Sequence, residues 1–377
     1  MQIAFNARIL QAPRTGIGQY VSSLTQALQG QAGVSLQLFL GRHWAVDLPP
    51  APMPGYSRRV ALAKRVPGAY RIRRWLEQGS FDRGLRQRSI DLYHEPSLWP
   101  LEFDGPMVMT LHDLTHVHYP HTQPADRLAE IERHVGSGVE RAQCVLTDSE
   151  HVASEVRRHF ALPAERVVVA PLGYATRFRP RTDEELASAL ASFGLSAGRY
   201  LICVGTLEPR KNLQLALRAH ALLPAALRTR LPLVIVGMPG WRSEGLDGTL
   251  DAAVKGGWAK VLGYQRDDVL AELLAGAKAL LFPSLYEGFG LPVLEAMASG
   301  VPVLLTRSSS LPEVAGAAGI YVDAHDPQEM CAAIQELVDD SSLGQRCREL
   351  GLERAQEFSW QRCARITSEA YRKAVGG

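Results

Sequence analysis

The chain has 377 residues, of which 46% are hydrophobic and 21% are charged, an ordinary balance for a globular protein. This length suits two domains of roughly 150–200 residues each, with enough apolar side chains for two cores. The net charge of +2 gives no global case for nucleic-acid binding, and no apolar run approaches the roughly 20 residues of a membrane-spanning helix.

The chain starts with MQIAFNARIL, a pattern typical of a buried strand, and this start lacks the long apolar stretch of a signal peptide. The cysteines are scattered and form no CxxC pair, which favours reduced thiols in the cytosol and argues against a structural zinc site. We therefore expect a cytoplasmic protein. The five cysteines are Cys144, Cys203, Cys331, Cys347 and Cys363.

A glycine motif, RTGIGQY, opens a helix after the first predicted strand. Gly16 and Gly18 carry no side chain there, so the backbone could approach a ligand closely. A motif this short predicts the position of a ligand loop better than it predicts individual contacts.

Residues 58–88 form a basic segment with ten Arg or Lys and only two acidic residues. Apolar side chains, among them Tyr70 and Trp75, lie between the charges. A segment of this kind can lie on an anionic membrane surface, and a solvated helical face is the alternative interpretation.

Short, fully apolar runs alternate with helical patterns along the chain, which indicates buried parallel strands joined by helices. Each half is therefore predicted to form its own doubly wound α/β sheet. The predicted strands are Ile3–Phe5, Leu36–Leu40, Leu92–His94, Met107–Leu111, Cys144–Thr147, Val167–Ala170, Tyr200–Val204, Leu233–Val236, Val261–Gly263, Ala279–Pro283, Val303–Thr306 and Ile320–Val322.

The divide between the halves is predicted near residues 172–198, where a loop leads into a new helix with Thr182 as its N-cap. We expect an N-terminal domain at residues 1–175 and a C-terminal domain at residues 176–358. The last helix, within residues 359–377, is expected to pack back on the N-terminal domain. Ligands of such sheets bind beyond the carboxyl ends of the strands, so the loops that follow the strands are the candidate sites.

In the N-terminal half, the strand MVMTLHD ends in His112, the histidine with the best functional position. His94 and Glu95 end a neighbouring strand and could touch a sugar or an acceptor. Four histidines within ten residues raise the question of a metal site. That stretch contains Pro120 and is typical of a loop, so we expect no metal ion there. The four are His112, His116, His118 and His121.

In the C-terminal half, the strand YLICVG runs into TLEPRKNL. Arg210 and Lys211 are adjacent cations at the start of a helix and could neutralise a diphosphate, Arg by a fork and Lys as a point charge. Charge grows on a departing phosphate as its bond to a sugar breaks, so these cations would stabilise the transition state. A solvated basic pair is the alternative.

The loop and helix that follow Phe282 combine glycines with a helix of about two turns. Pro292 fits the first turn of that helix, and Gly300 fits the residue after its end. The helix N-terminus offers unpaired N–H groups, and Gly288 and Gly290 would let an anion approach them. The pattern predicts a phosphate-binding site.

Two glutamates belong to this segment, Glu287 in the loop and Glu295 in the predicted first turn of the helix. A carboxylate accepts hydrogen bonds in pairs, which suits the adjacent hydroxyls of a sugar or ribose. Here the sequence resembles the retaining GT-B glycosyltransferases of family 4, whose E-x7-E motif Glu287 and Glu295 match. The surrounding text, FPSLYEGFGLPVLEAMASGVPVL, looks like that family at almost every position.

The resemblance implies the GT-B fold: two doubly wound Rossmann-like domains with an interdomain cleft, the N-terminal one for the acceptor and the C-terminal one for the donor. It implies that Glu287 lies against the transferred sugar and that Glu295 binds the nucleotide ribose. It assigns Arg210 and Lys211, in EPRKN, to the donor diphosphate. It also places His112, in a THD-like stretch, beside the transferred sugar. These residues, except Glu295, form the predicted catalytic set.

Further donor contacts follow from the resemblance with less support. Gly263 and Tyr264, in GYQRDD, are implied to lie beside the nucleotide base, where an ordinary turn is the alternative. Many relatives carry an Arg where this chain has Thr206, so either Arg210 substitutes for it or the diphosphate contact is weaker. The predicted donor-binding set is Gly16, Gly18, Thr206, Arg210, Lys211, Gly263, Tyr264, Glu287, Gly288, Phe289, Gly290, Leu291 and Glu295.

The resemblance implies a retaining, metal-independent hexosyltransferase that needs no cofactor beyond its nucleotide-sugar donor. The text is similar to bacterial mannosyl- and rhamnosyltransferases of O-antigen synthesis, which suggests GDP-mannose or a GDP-deoxyhexose as donor. A glycan or a polyprenyl-diphosphate-linked glycan is the expected acceptor, with residues 58–88 on the inner face of the plasma membrane. A UDP- or dTDP-sugar donor, a sugar-nucleotide epimerase, a phosphorylase and a non-catalytic relative are the alternatives.

Overall fold

The structure is a computed structural model, and it describes residues 1–14, 16–50, 69–240 and 244–376. The chain divides into two compact units. Unit 1 consists of Met1–His116, Ala125–Leu172 and Trp360–Gly377, and unit 2 consists of Val117–Pro124 and Gly173–Ser359.

Unit 1 is built on a seven-stranded sheet in the order β3-β2-β1-β4-β5-β6-β7. All neighbouring strands are parallel except β2 and β3, which are antiparallel. The strands are β1 (Gln2–Asn6), β2 (Ser35–Phe39), β3 (Trp44–Ala45), β4 (Leu92–Glu95), β5 (Met107–Leu111), β6 (Cys144–Thr147) and β7 (Val167–Val169). The helices before Gly173 are α1 (Gly16–Gln29), α2 (Ala69–Leu85), α3 (Thr115–His118), α4 (Ala125–Arg141) and α5 (Glu150–His159).

Unit 2 is built on a six-stranded, fully parallel sheet in the order β10-β9-β8-β11-β12-β13. Its strands are β8 (Leu201–Val204), β9 (Leu233–Val236), β10 (Ala259–Gly263), β11 (Ala279–Phe282), β12 (Val303–Thr306) and β13 (Gly319–Val322). Its helices are α6 (Asp183–Ala191), α7 (Leu213–Leu222), α8 (Ala225–Arg230), α9 (Glu244–Lys255), α10 (Asp267–Ala275), α11 (Leu291–Ala298), α12 (Leu311–Ala315), α13 (Pro327–Asp339) and α14 (Ser341–Ala355).

Each of the twelve predicted strands is present in one of the two sheets. Central strands such as β5 and β11 are buried along their whole length, which is why they read as continuous apolar runs. The sequence prediction missed β3, because two residues at an antiparallel sheet edge show no periodic pattern. The Trp44 side chain of β3 stacks on Phe81 of α2, with ring centroids 5.3 Å apart.

Helix termini follow local sequence signals. Thr182 caps α6 as predicted, in a reciprocal capping box with Glu185. Helix α11 has eight residues with Pro292 in its first turn, and Gly300 follows its end at a φ of +71°, both as predicted.

The last helix, α15 (Trp360–Gly376), belongs to unit 1. It packs against α1 and against the sheet at β4, β5 and β6. Its buried residues include Trp360, Cys363 and Tyr371. In the parts of the chain that are described, no helix combines the length and the apolar character needed to cross a membrane.

Candidate functional site

In unit 2, the loops after β8 and β11 emerge side by side, because these two parallel strands are neighbours in the sheet. The Leu285 amide donates to the Arg210 carbonyl at 2.8 Å and joins the two loops. A small pocket at these strand ends is lined by Thr206, Lys211 and Ser284 among others. The predicted residues Thr206 and Lys211 therefore face one pocket.

The loop after β8 also pairs closely with the loop after β9. Gly205 and Gly237 have φ values of +147° and +156°, a region that favours glycine. A Cβ atom on Gly237 would lie 1.8 Å from the Gly205 carbonyl oxygen, so no other residue fits at this approach. The two loops continue as a parallel bridge at Leu207 and Pro239. The loop after β8 is thereby held by backbone contacts.

Glu287 is buried and forms ion pairs with both predicted cations. Lys211 Nζ lies 2.6 Å from Glu287 Oε1, and Arg210 Nη1 lies 3.0 Å from Oε2. Arg210 also donates to the Tyr286 carbonyl, and its Nη2 atom lies 2.6 Å from Glu208 Oε1. The structure thus brings three of the four predicted catalytic residues together. Glu208 was missed, although it stands within the same EPRKN motif.

Burial alone would raise the pKa of the Glu287 carboxyl, but Lys211 and Arg210 outweigh it and lower that pKa to about 2. Glu287 is therefore a carboxylate at every physiological pH. Because both oxygens are engaged by cations, it is a poor proton acceptor and a poor nucleophile. The Glu287 side chain can therefore place a fixed negative charge beside a ligand.

A serine-rich segment after β12, which the sequence prediction did not single out, fixes the Glu287 loop. The Glu287 amide donates to Ser309 Oγ at 2.8 Å, and Ser310 Oγ donates to the carbonyls of Glu287 at 2.9 Å and Phe289 at 3.1 Å. Ser308 Oγ donates to the Ser284 carbonyl at 2.7 Å. Ser309 has a φ of +45°, a strained value for a residue other than glycine. We call residues 306–310 the serine segment.

Glu295 lies in the second turn of α11, so its predicted place in the first turn is wrong. The helix already starts at Leu291, directly after the left-handed Gly290, so Glu295 is its fifth residue and lies beyond the first turn. Its side chain is buried. Burial, together with the charge of Asp267, raises the pKa of the Glu295 carboxyl to about 8, against the opposing effect of Arg177. This carboxyl is mostly protonated at neutral pH.

The residues between the two glutamates have internal structural roles. Gly290 caps α11 at a φ of +103°, and a Cβ atom there would lie 2.8 Å from Leu311 Cδ2. Glycine at this position is thus required by the fold itself, whereas the sequence argument invoked the approach of an anion. The Phe289 ring packs edge-on against Phe358 with centroids 5.7 Å apart. Gly288 is buried, and Leu291 is half-buried.

Gly263 ends β10 at a φ of +66°, and no atom lies within 4 Å of the position its Cβ would occupy. Its carbonyl accepts from the Gly237 amide at 2.9 Å, which joins this loop to the loop after β9. Tyr264 is half-buried. The space beside Gly263 is open, as backbone recognition of a ligand would require.

In unit 1, Gly16 is the first residue of α1, and a Cβ atom at that position would have no other atom within 4 Å. At Gly18 a Cβ atom would make only ordinary contact with Arg14, at 3.8 Å. Packing within the described chain therefore explains neither glycine, and both remain candidates for ligand contact.

His112 follows β5, and its Nδ1 atom lies 2.7 Å from Asp148 Oδ2. Asp148 follows β6, the next strand in the sheet. Tyr20 packs edge-on against the His112 ring, with centroids 4.5 Å apart. The sequence prediction missed Asp148; its position directly after an apolar strand was the available signal.

The prediction that His94 and Glu95 touch a ligand is wrong for His94. His94 is fully buried, and its two ring nitrogens are bonded to Tyr371 at 2.5 Å and Thr110 at 2.8 Å. Glu95 is also fully buried and accepts from Asn6 at 2.7 Å. Their side chains complete the interior of unit 1, because β4 is a central strand.

Of the other histidines of the cluster, His118 and His121 belong to unit 2, whereas His112 belongs to unit 1. His118 lies beside Tyr286 of unit 2, with ring centroids 5.2 Å apart. Across the described ranges of the chain, no group of three or more His, Cys, Asp or Glu side chains could hold a metal ion.

Helix α2 carries most of the described part of the basic segment, while residues 58–68 lie outside the described residues. Ile72, Trp75 and Leu76 are 60%, 75% and 50% exposed and share one face of the helix. The opposite face buries Phe81 in the core of unit 1. Arg74 donates to the Pro100 carbonyl at 2.7 Å, so this cation has a structural partner.

Comparison with known proteins gives consistent matches over both halves. The protein-family model described as "Glycosyltransferase Family 4" matches residues 14–178, and the one described as "Glycosyl transferases group 1" matches residues 193–354. The chain is 33% identical to O-antigen chain mannosyltransferase B of Escherichia coli, over 99% of this chain and 100% of that protein.

Solved structures confirm the fold class expected from the sequence. Sucrose-phosphate synthase from Thermosynechococcus elongatus has a TM-score of 0.76 at 21% identity and covers 98% of each chain. Anabaena Alr3699/HepE, solved in complex with UDP and glucose, has a TM-score of 0.71 at 16% identity and also covers 98% of each chain.

Proposed function

Because the chain belongs to the family 4 (group 1) glycosyltransferases, we propose that it transfers a hexose from a nucleoside-diphosphate sugar to a glycan or lipid-linked acceptor, with retention at the anomeric carbon. The proposed sugar is mannose or a deoxyhexose such as rhamnose, carried on GDP. The full-length similarity to an enzyme named O-antigen chain mannosyltransferase B supports this choice and a role in lipopolysaccharide synthesis.

The arrangement of Glu287 with Lys211 and Arg210 carries the proposal. Two cations and the carboxylates of Glu287 and Glu208 form one compact charge cluster. Lys211, with 19% of its side chain exposed, is the more accessible cation, while both Nη atoms of Arg210 are already engaged. Lys211 would thus bind the diphosphate, and Arg210 would mainly hold Glu287 in place. Glu295 is the proposed ribose contact.

The proposed reaction breaks the bond between the anomeric carbon and the diphosphate oxygen, and the acceptor oxygen bonds to the same face of that carbon. The acceptor's proton passes to the departing phosphate oxygen. Glu287, held as an anion, would stabilise positive charge on the sugar, and Lys211 would stabilise charge on the leaving group. The N-terminus of α11 adds a positive dipole, so no metal ion is required.

The exposed face of α2 supports a further part of the proposal, peripheral attachment at the inner face of the plasma membrane. Ile72, Trp75 and Leu76 form an apolar stripe, and the exposed Arg73 stands beside it. An apolar stripe flanked by cations suits an anionic lipid surface, where a polyprenyl-linked acceptor would be found.

A UDP-sugar donor is the second candidate, since Anabaena Alr3699/HepE, a solved structure of the same fold, holds UDP and glucose. A dTDP-sugar donor and epimerisation of the sugar nucleotide complete the alternatives. Epimerisation would give a changed sugar nucleotide in the absence of any acceptor.

A screen of GDP-, UDP- and dTDP-sugars by thermal shift tests the donor. A ligand at 100 times its dissociation constant adds about 2.7 kcal/mol to the free energy of unfolding, so the preferred donor should raise Tm clearly. Acceptor-free hydrolysis of that donor should fall about 100-fold in Glu287→Gln, because a fixed transition-state charge is lost. Glu353→Gln, at an exposed position of unit 2, is the matched control. The proposal fails if no sugar nucleotide binds, or if Glu287→Gln hydrolyses the bound donor as fast as the control.

A further inference from the structure

Asp148 and His112 occupy equivalent positions at the carboxyl end of the unit 1 sheet. Strands β5 and β6 are parallel neighbours with Leu111 opposite Thr147, so the residue after each strand reaches the same edge. Asp148 Oδ2 lies 2.7 Å from His112 Nδ1, and the two side chains are 4% and 15% exposed. The carboxylate therefore meets the imidazole within the protein interior.

The second ring nitrogen of His112 has a different environment. Nε2 is buried and makes no hydrogen bond of good geometry with the residues that the structure describes, although the Pro96 carbonyl is close enough to the ring to favour its protonated form. With Nδ1–H donating to Asp148, a neutral ring would present a lone pair at Nε2, and an imidazolium would present an N–H group. The protonation state of His112 thus decides which kind of ligand atom Nε2 can meet.

The groups nearest the His112 ring favour the imidazolium. Burial alone would lower the pKa of His112, but the charge of Asp148 and its hydrogen bond outweigh burial and raise it. Asp113 and the Pro96 carbonyl add smaller effects in the same direction. Because each of these groups is an anion or a carbonyl dipole, they all stabilise the protonated ring.

The titratable groups on the other elements packed against the ring stay neutral. Tyr20 of α1 remains a phenol because burial raises its pKa well above 10. His94 of β4 remains an uncharged imidazole because burial lowers its pKa to about 3. Asp148 is therefore the main group that sustains the charge on His112.

We propose that Asp148 is a positioning residue that holds His112 as an imidazolium and directs its Nε2–H group to an oxygen atom of a bound sugar. The inference rests on the proposed function for the identity of the ligand, which is a sugar oxygen of either the donor or the acceptor. A buried N–H group without a well-formed hydrogen bond is costly, and a ligand oxygen removes that cost on binding. The hydrogen bond so formed is charge-assisted and stronger than one from a neutral ring.

NMR of the ligand-free protein with ¹⁵N-labelled histidine tests the pair directly. The His112 resonances are assigned through His112→Gln. At neutral pH both ring nitrogens of His112 should be protonated in the wild type. In Asp148→Asn, which keeps the size of the side chain and removes its charge, the pKa of His112 should fall. Asp113→Asn is the matched control, since Asp113 neighbours His112 but its Oδ1 atom accepts from the Thr115 amide. The pKa of His112 should fall less in Asp113→Asn than in Asp148→Asn.

Kinetics then identify the ligand oxygen. Losing a hydrogen bond to a charged group costs about 10- to 100-fold, which should appear in kcat of Asp148→Asn and be partly restored as the pH is lowered. If acceptor-free donor hydrolysis and sugar transfer fall equally, the oxygen belongs to the donor sugar. If only transfer falls, it belongs to the acceptor.

A neutral His112 in the wild type at pH 7, or a His112 pKa that is the same in Asp148→Asn as in the wild type, would overturn the inference. The wild-type titration decides this even if Asp148→Asn fails to fold. If Asp148→Asn lowers the pKa of His112 although no sugar nucleotide binds, Asp148 does hold His112 as an imidazolium, but the proposed function is wrong.

Discussion

Glu287 and Glu295 stand in one short segment, yet their surroundings move the pKa of each carboxyl in opposite directions. Both are buried, but Glu287 has two cations within 3.0 Å. Glu295 has the anionic Asp267 as its main charged neighbour, and Arg177 offsets it only in part. At neutral pH the Glu287 carboxyl is thus ionised, whereas the Glu295 carboxyl is mostly protonated. The spacing of the two residues is visible in the sequence, but this division is not, since it depends on which distant side chains converge.

Stability should depend on Glu295 in a pH-dependent way. Its pKa in the folded state, about 8, lies above the unfolded value near 4.5, so folding retains a proton that the unfolded chain releases between these values. The contribution of Glu295 to the free energy of unfolding is therefore lost as the pH rises from about 4.5 to 8, by at most about 1.4 kcal/mol per pH unit. Glu295→Gln should remove this loss. The measurement is Tm of both proteins at pH 5 and pH 8.

The exposed Glu353 offers the control, because Glu353→Gln changes a charge without a buried partner. We expect Glu295→Gln to gain Tm relative to the wild type at pH 8 but not at pH 5, and Glu353→Gln to gain at neither. Parallel pH profiles for all three proteins would show that Glu295 does not carry a raised pKa.

At the scale of elements, the strands were predictable because full burial leaves a continuous apolar run, as in β5 and β11. Helix α11 was predictable from Pro292 and Gly300. The serine segment was not, because nothing in the letters TRSSS shows that it lies against the carbonyls of the Glu287 loop. Such contacts form between loops of neighbouring strands, here β11 and β12, and periodicity carries no information about them.

Ser310→Ala should weaken donor binding, and this effect should be larger than its effect on the free energy of unfolding. The substitution leaves the carbonyls of Glu287 and Phe289 without the hydroxyl that serves both, at a fully buried position. The expected loss in the free energy of unfolding is about 1–3 kcal/mol. The Glu287 loop would then be less well fixed, so the dissociation constant of the donor should rise. Chemical denaturation and calorimetric titration measure the two effects.

Ser192→Ala is a suitable control, because Ser192 Oγ also donates to a backbone carbonyl, at 2.7 Å, but does so on an exposed helix end. That variant should change neither quantity appreciably. Unchanged donor affinity in a measurably destabilised Ser310→Ala would show that the serine segment supports the fold alone.

At the scale of the whole molecule, the sequence was sufficient to predict two doubly wound units, because strands and helices alternate throughout. The sequence was also sufficient to predict that Arg210, Lys211 and Glu287 lie at neighbouring strand ends. Glu208, which pairs with Arg210, and Asp148, which pairs with His112, were missed, since each is a charged residue in a loop with no spacing rule to mark it.

Membrane attachment should depend on the exposed apolar stripe of α2, Ile72, Trp75 and Leu76. Leu76→Ser with Trp75→Ala should lower binding to vesicles of phosphatidylcholine and phosphatidylglycerol about tenfold or more, since burial of each side chain contributes about 1.5–3 kcal/mol. Binding should weaken at high salt and on vesicles without phosphatidylglycerol. Sedimentation with vesicles measures both. Arg74→Glu is a poor test, because it would break the bond to Pro100.

Leu222→Ser is the matched control, since Leu222 is 52% exposed on a helix of unit 2. That variant should bind vesicles like the wild type. Equal binding by the α2 variant and this control would remove α2 from any membrane role and leave a solvated helical face as the correct interpretation.

The position of α15 has a consequence for biosynthesis. Unit 1 is discontinuous, and its final helix is translated only after all of unit 2. Chains grow from the N-terminus at about 5–20 residues per second, so all of unit 2 is synthesised before unit 1 has the helix that packs on α1 and the middle of its sheet. The first part of the protein to be made is thus the last to be finished, and during that interval its apolar surface must be kept from other nascent chains.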